Sequence, residues 1–234
     1  MRFSMLILLL ALLCGCLGMA PTEIPLPMIE IADSDSRHES IVIMLPGRGD
    51  RADTFIREGF EKAGERWGFD TIAADAHFGY YMERSLLPRL RADIVLPARE
   101  AGYKHIWLLG ISMGGFGSLL YAAENPDQID GVILLAPFLG DRSSIDEIVA
   151  SGGLNSWDAS ASSLEDYEIA IWSWLRDSDT PVILGFGEAD GMAQGYRDVL
   201  IAVLEPSSVY TLEGGHKWTT WGPLWEQIAS DLQL

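Results

Sequence analysis

The stretch LLGISMGGFGS, residues 108–118, sets four glycines (Gly110, Gly114, Gly115 and Gly117) around one serine, Ser112, directly after a run of large apolar residues. Gly110, Ser112 and Gly114 match the pattern G-x-S-x-G. Alone this pattern is weak, because a chain rich in Gly and Ser meets it by chance, so its surroundings decide. HIWLLG before it reads as a strand and FGSLLYAAE after it as a helix. That is the strand-turn-helix setting in which a serine is held in strained geometry with its hydroxyl exposed. Glycines on either side are needed where the turn brings the backbone against neighbouring elements and leaves no room for a Cβ. The helix that follows points its first amides toward the serine, which favours developing negative charge there.

Working outward, the chain alternates short aliphatic runs with longer amphipathic ones. SIVIMLP (40–46), FDTIAADA (69–76), HIWLLGI (105–111), GVILLAP (131–137), PVILGFG (181–187) and SVYTLEG (208–214) are continuous apolar runs of strand length, as expected for strands buried on both faces. Helices are predicted at about 52–66, 84–101, 114–124, 191–204 and 223–232, the last with Pro223 in its first turn. This order implies an α/β fold: a mostly parallel sheet of about six strands with helices on both faces. IPLPMIEI (24–31) adds a possible edge strand, since two prolines make it a poor central one. The long connection at 138–180, with its SGGLNSWDASASS middle and the segment EDYEIAIWSWLRD, reads as a small helical insertion.

The chain has 234 residues, 48% of them hydrophobic, which suits one domain with a substantial core. Its formal charge of −18 repels phosphate backbones and anionic headgroups, so nucleic acid is excluded as a partner. Residues 1–20, MRFSMLILLLALLCGCLGMA, carry Arg2 and then an apolar stretch too short to span a bilayer but of the length of a secretory h-region. We expect this segment to be removed, leaving 21–234 as a single domain. Leu13-Cys14-Gly15-Cys16 resembles the lipobox of bacterial lipoproteins, which implies lipidation of Cys16 and membrane attachment at the cell envelope. Cleavage after Ala20, giving a periplasmic or secreted protein, is the alternative, and a buried N-terminal helix is a third. Both cysteines lie in this segment, so the mature domain has no disulfide, thiol nucleophile or cysteine metal ligand.

A serine hydroxyl is a weak nucleophile until a base takes its proton, and the base needs an orienting carboxylate. Four histidines are available. His38 lies in a polar stretch, and His105 begins a strand at the wrong end of the sheet. His77 ends a strand on the correct edge. His216, in LEGGHKW, follows another strand with two glycines that let its loop swing inward, and is the preferred base. For the carboxylate, Asp190 follows PVILGFGEAD at the edge where open parallel sheets bind ligands; Glu188 and Asp141 are the lesser candidates.

Ser112, Asp190 and His216, in that order and in these contexts, resemble the α/β-hydrolase superfamily from about residue 40 to the C-terminus. IMLPGRGD is similar to the LHGxGD segment of carboxylesterase and phospholipase members, and GGHKWTTW to the GGHxW segment of esterase-type members. The resemblance implies an oxyanion hole from the backbone amides of Arg48 and Met113, with Pro46 where the family usually has histidine. The Arg48-Gly49-Asp50 tripeptide matches an adhesion motif but lies in this loop. The implied activity is cleavage of carboxylic esters through an acyl-enzyme, with no metal or organic cofactor, and the short insertion and single modest apolar cluster favour small or medium esters over long-chain fat. His77, Phe78, Tyr80, Tyr81 and Met82, with Trp172 and Trp174 of the insertion, are candidate pocket residues, ordinary packing being the competing reading. A peptidase, thioesterase, lipase or acyltransferase would carry the same triad. The rival from another class is a non-catalytic binding lipoprotein, against which stands the presence of all three triad residue types.

Overall fold

The six apolar runs become neighbouring strands of one sheet. The computed structural model describes residues 20–32, 37–140, 142–192 and 194–232. Residues 1–19, with Cys14 and Cys16 of the expected export segment, and the reserve carboxylate Asp141 lie outside the described residues.

The strands are β1 (Met28–Ile31), β2 (Ser40–Leu45), β3 (Asp70–Ala74), β4 (His105–Ile111), β5 (Gly131–Leu135), β6 (Val182–Gly187) and β7 (Val209–Leu212), in spatial order β1-β3-β2-β4-β5-β6-β7. All neighbours pair in parallel except β1, which runs antiparallel to β3 with Met28 opposite Ala74. The sheet thus has seven strands, the proline-bearing segment supplying its exposed edge. Strands β2, β3 and β5 are buried along their whole length, which is why they show no polar-apolar alternation; β3 even buries Asp70 and Thr71, Asp70 accepting from the Tyr103 hydroxyl at 2.6 Å.

The helices are α1 (Ala52–Arg57), α2 (Glu61–Trp67), α3 (Phe78–Met82), α4 (Leu86–Leu90), α5 (Leu96–Glu100), α6 (Met113–Glu124), α7 (Arg142–Ala150), α8 (Asp166–Asp177), α9 (Gln194–Ile201) and α10 (Trp218–Asp231). A π-turn at Arg91–Val95 joins α4 to α5 just before Pro97, which lacks the amide that would continue the α ladder. On one face of the sheet, Ile41, Ile43 and Leu45 pack with residues of α4 and α6 to α9; on the other, Val42 and Met44 pack with α1, α2 and α10. Burial of these two apolar faces is the main stabilising term of the fold.

Two helix expectations differ from the structure. The segment 52–66 is split because Gly59 turns at φ +74°, a left-handed conformation that ends α1. The last helix begins at Trp218 rather than Pro223, which sits inside it. Trp218 and Trp221 pack edge-on with each other, and Trp218 also against Phe55 and Phe60, so tertiary packing extends the helix toward its N-terminus.

Candidate active site

Chain order reverses between β2 and β4: from β2 the chain moves outward to β3 and then crosses back to β4. Such a switch point opens a crevice at the carboxyl ends of the strands, and the segments that leave β2 and β4 there carry Gly47-Arg48 and Ser112.

Ser112 has φ +51° and ψ −112°, strained for a residue with a Cβ. Its amide donates to the Leu135 carbonyl at 2.9 Å, and its carbonyl accepts from the amides of Gly115 at 3.0 Å and Phe138 at 2.9 Å. The glycines around it are sterically required. A Cβ on Gly110 would stand 2.2 Å from the Gly114 carbonyl oxygen, and one on Gly114 would stand 2.1 Å from that of Leu45. Met113 opens α6, where the first amides have no acceptor within the helix.

Asp190 and His216 meet because the ends of β6 and β7 touch backbone to backbone. A Cβ on Gly187 would lie 2.4 Å from the Gly214 carbonyl oxygen, and the Ala189 amide donates to that same oxygen at 2.8 Å. Gly214, at φ +143°, then turns the chain so that His216 Nδ1 lies 2.8 Å from Asp190 Oδ2. The other carboxylate oxygen of Asp190, Oδ1, accepts from the Met192 amide at 3.0 Å. Asp190 is 1% exposed, whereas the His216 ring is partly open and stands edge-on to Trp221 with centroids 4.8 Å apart.

The loop after β2 is tied down from the side. Arg51 donates Nε to Asp75 Oδ1 at 2.7 Å and Nη2 to Asp75 Oδ2, and the Ala52 amide adds a third bond to Oδ1 at 3.1 Å. Burial alone would raise the Asp75 carboxyl, but the Arg51 fork and this amide outweigh it and hold the group below its ordinary value. Asp50, a member of the RGD tripeptide, is turned in rather than displayed. Its amide donates to the Gly47 carbonyl at 3.1 Å, and burial raises its carboxyl despite a hydrogen bond from the Trp218 side chain. The Arg48 guanidinium lies 4.7 Å from the centre of the Phe78 ring.

Several expected pocket residues turn out to be structural. His77 is buried and caps α3, its Nδ1 accepting from the Gly79 amide at 3.1 Å; burial, then the nearby Arg51 charge, lowers its pKa and keeps it neutral. Tyr80 is fully buried, its ring 4.8 Å from that of His77 and its hydroxyl donating to the Glu23 carbonyl at 3.0 Å; Trp172 is fully buried and Trp174 nearly so, because the insertion lays α8 against the sheet-packed α6. Of the expected pocket residues Tyr81 does stand half-buried near Ser112, and it is joined there by two aromatics that were not expected, Phe116 and Phe138. Phe116, one turn beyond the serine, was legible from the helical spacing alone; Phe138 was hidden at the mouth of the insertion. His105 lies exposed at the far end of β4, and His38 lies beside Asp70, whose carboxylate accepts from its amide at 3.3 Å.

This arrangement defines an α/β-hydrolase fold with a strained serine and an Asp-His pair at one sheet edge. A hydrolase family model described as serine aminopeptidase, S33, matches residues 91–163, a segment that holds Ser112 and ends before Asp190. Solved structures share the fold. Est1E from Butyrivibrio proteoclasticus is 18% identical with a TM-score of 0.63, covering 87% of this chain and 90% of its own. The substrate-bound fluorophosphonate-binding serine hydrolase F of Staphylococcus aureus is 13% identical with a TM-score of 0.60, covering 91% and 95%. A monoacylglycerol lipase of Paleococcus ferrophilus is 18% identical with a TM-score of 0.57, covering 88% and 97%. A search of curated proteins finds no sequence match to this chain. Among the described residues no group of three or more His, Cys, Asp or Glu could hold a metal ion, and no helix is long and apolar enough to cross a membrane.

Proposed function

We propose that the protein is a serine hydrolase that cleaves carboxylic esters of small or medium size through an acyl-enzyme. The observation that carries this reading is the 2.8 Å contact between His216 Nδ1 and Asp190 Oδ2, at the sheet edge where Ser112 stands on its strained turn. With Nδ1–H donating to Asp190, Nε2 is the nitrogen left to accept the Ser112 proton. Ser112 Oγ attacks the ester carbonyl as His216 takes that proton. The amides of Met113 and Arg48 receive the oxyanion, each such donor contributing about 3–4 kcal/mol at the transition state. His216 then protonates the departing alcohol, and water repeats the sequence on the acyl-enzyme. The esterase and lipase names of the structural neighbours support esters as the substrate class. We further read residues 1–20 as an export signal and Cys16 as a lipid attachment point, which places the enzyme at the bacterial cell envelope.

The test is labelling by a fluorophosphonate on protein lacking residues 1–20, beside Ser112→Ala and His216→Ala, followed by a screen of p-nitrophenyl esters and aminoacyl p-nitroanilides. Labelling that disappears in Ser112→Ala, with ester turnover, is the expected result. A folded parent that takes no label would point to a binding protein on a hydrolase scaffold. Turnover of anilides without esters would make it a peptidase.

A further inference from the structure

We propose that Tyr81, Phe116, Phe138, Tyr167 and Tyr196 form an acyl-binding strip beside Ser112 that selects esters of uncharged aromatic acids. This rests on the ester-hydrolase reading above and goes beyond it by assigning the acyl group.

The five rings are contiguous. Phe116 lies 6.5 Å from Tyr81, 6.1 Å from Phe138 and 5.6 Å from Tyr167 between ring centres, and Phe138 lies 6.2 Å from Tyr196. They come from α3, α6, the β5–α7 connection, α8 and α9, so five separate segments of the chain contribute to the strip. Two of its residues are tied to the backbone at the serine: the Phe138 main-chain amide donates to the Ser112 carbonyl, and the Tyr81 hydroxyl donates to the carbonyl of the next residue, Met113, at 3.1 Å. None of the five is fully buried, and Tyr167 is 43% exposed, unlike the sealed Tyr80 and Trp172.

The rings are also fixed. The Tyr81 hydroxyl is spent on Met113, and the Tyr196 hydroxyl donates to the Gly140 carbonyl at 2.6 Å, so both polar ends are tied to backbone. Interplanar angles of 82° for Phe116 with Tyr167 and 76° for Phe138 with Tyr196 mean that the strip offers ring edges and ring faces in alternation. An aromatic guest gains edge-to-face contacts there, whereas a saturated guest of equal area gains burial only. The strip carries no charge at neutral pH.

The side on which the strip lies assigns it to the acyl half of the ester. Tyr81, Phe116 and Tyr196 pack against the core on the Ile41 and Leu45 face, whereas Trp218 and Trp221, the latter edge-on to His216, belong to the opposite face. His216 must protonate the departing alcohol oxygen, so the alcohol leaves on its side and the acyl group lies along the strip.

The experiment compares methyl 3-phenylpropanoate with methyl 3-cyclohexylpropanoate, which share a leaving group and a carbon count. The expected ratio of kcat/KM is about two- to tenfold in favour of the phenyl ester, falling toward one in Phe116→Leu and Phe138→Leu. Because both esters are read on one preparation, a partly inactive variant does not disturb the ratio. A ratio at or below one in the parent, or one unchanged by both variants, overturns the strip. Calorimetric binding of the two esters to Ser112→Ala separates this proposal from the hydrolase reading. If the parent takes no fluorophosphonate and turns over neither ester, the hydrolase reading fails, while a phenyl preference in binding still supports the strip and its absence still overturns it.

Discussion

Ser112 hangs from Leu135: its amide donates to the Leu135 carbonyl at 2.9 Å while its own φ is held at +51°. The neighbouring strand thus fixes a backbone conformation that a serine would not choose. Strain of this kind costs about 1–3 kcal/mol and persists only where the surroundings over-determine it. Glycine at the same position carries no such cost. We expect Ser112→Gly to abolish fluorophosphonate labelling while stabilising the fold by about 1 kcal/mol, a rise of roughly 2–4 °C in Tm. A Tm equal to or below that of the parent would mean that the turn stores no strain.

The Asp190–His216 bond predicts a second, purely kinetic effect. Asp190 is buried, with one oxygen on His216 and the other on the Met192 amide. Asparagine fits the same space but offers an NH2 group that favours the wrong imidazole tautomer. Asp190→Asn should therefore fold normally and lose about 10³–10⁴-fold in kcat for ester hydrolysis, with KM little changed. Retention of more than a tenth of the parental kcat would remove Asp190 from the proposed role.

The anchor of the proposed oxyanion loop predicts a mixed effect. Asp75 holds Arg51 by a two-pronged ion pair and also takes the Ala52 amide. Arg51 is 42% exposed, so solvent screens the pair and its loss should cost only about 1–2 kcal/mol in Asp75→Ala. The loop that carries Arg48 loses its lateral hold at the same time. We expect kcat/KM to fall by about ten- to a hundredfold, since small misplacement of a catalytic group is costly. Urea unfolding and steady-state kinetics on the same variant check the two numbers; an unchanged kcat/KM would show that the loop is fixed by its other contacts.

What the sequence disclosed follows from these contacts. The central strands were legible because burial on both faces leaves them mostly apolar, and the pairing of Asp190 with His216 because each follows a strand at the carboxyl edge of the sheet. The Gly187–Gly214 backbone contact that joins them has no signature beyond the glycines themselves. The tryptophans of the insertion were ambiguous because an apolar helical face looks alike whether it covers the core or lines a groove. Only the docking of α8 on α6 reveals that Trp172 is packing while Tyr167, on the same helix, looks outward. The role of His77 was hidden because a cap is set by the backbone of Gly79, not by the histidine.

The insertion itself is held by Glu147, and this gives a pH prediction. Its carboxylate accepts from the Trp157 indole at 2.8 Å, the Ser162 hydroxyl at 2.6 Å, and the Ser163 hydroxyl at 2.9 Å and amide at 3.3 Å. The Ser162 hydroxyl and then the Trp157 indole are the main causes that lower its pKa from 4.5 to about 2. A group whose pKa is depressed on folding stabilises the fold above its unfolded value, and that stabilisation disappears as the pH falls through the folded value. The contribution of Glu147 is therefore complete above about pH 5 and decays between about 4.5 and 2. Glu147→Gln should melt below the parent at pH 7, with the gap shrinking as the pH is lowered through 4 and 3. Differential scanning calorimetry of the two proteins across that range reads the gap directly. A gap that stays constant or widens toward pH 3 would show that the four donors hold the protonated carboxyl as firmly as the ionised one.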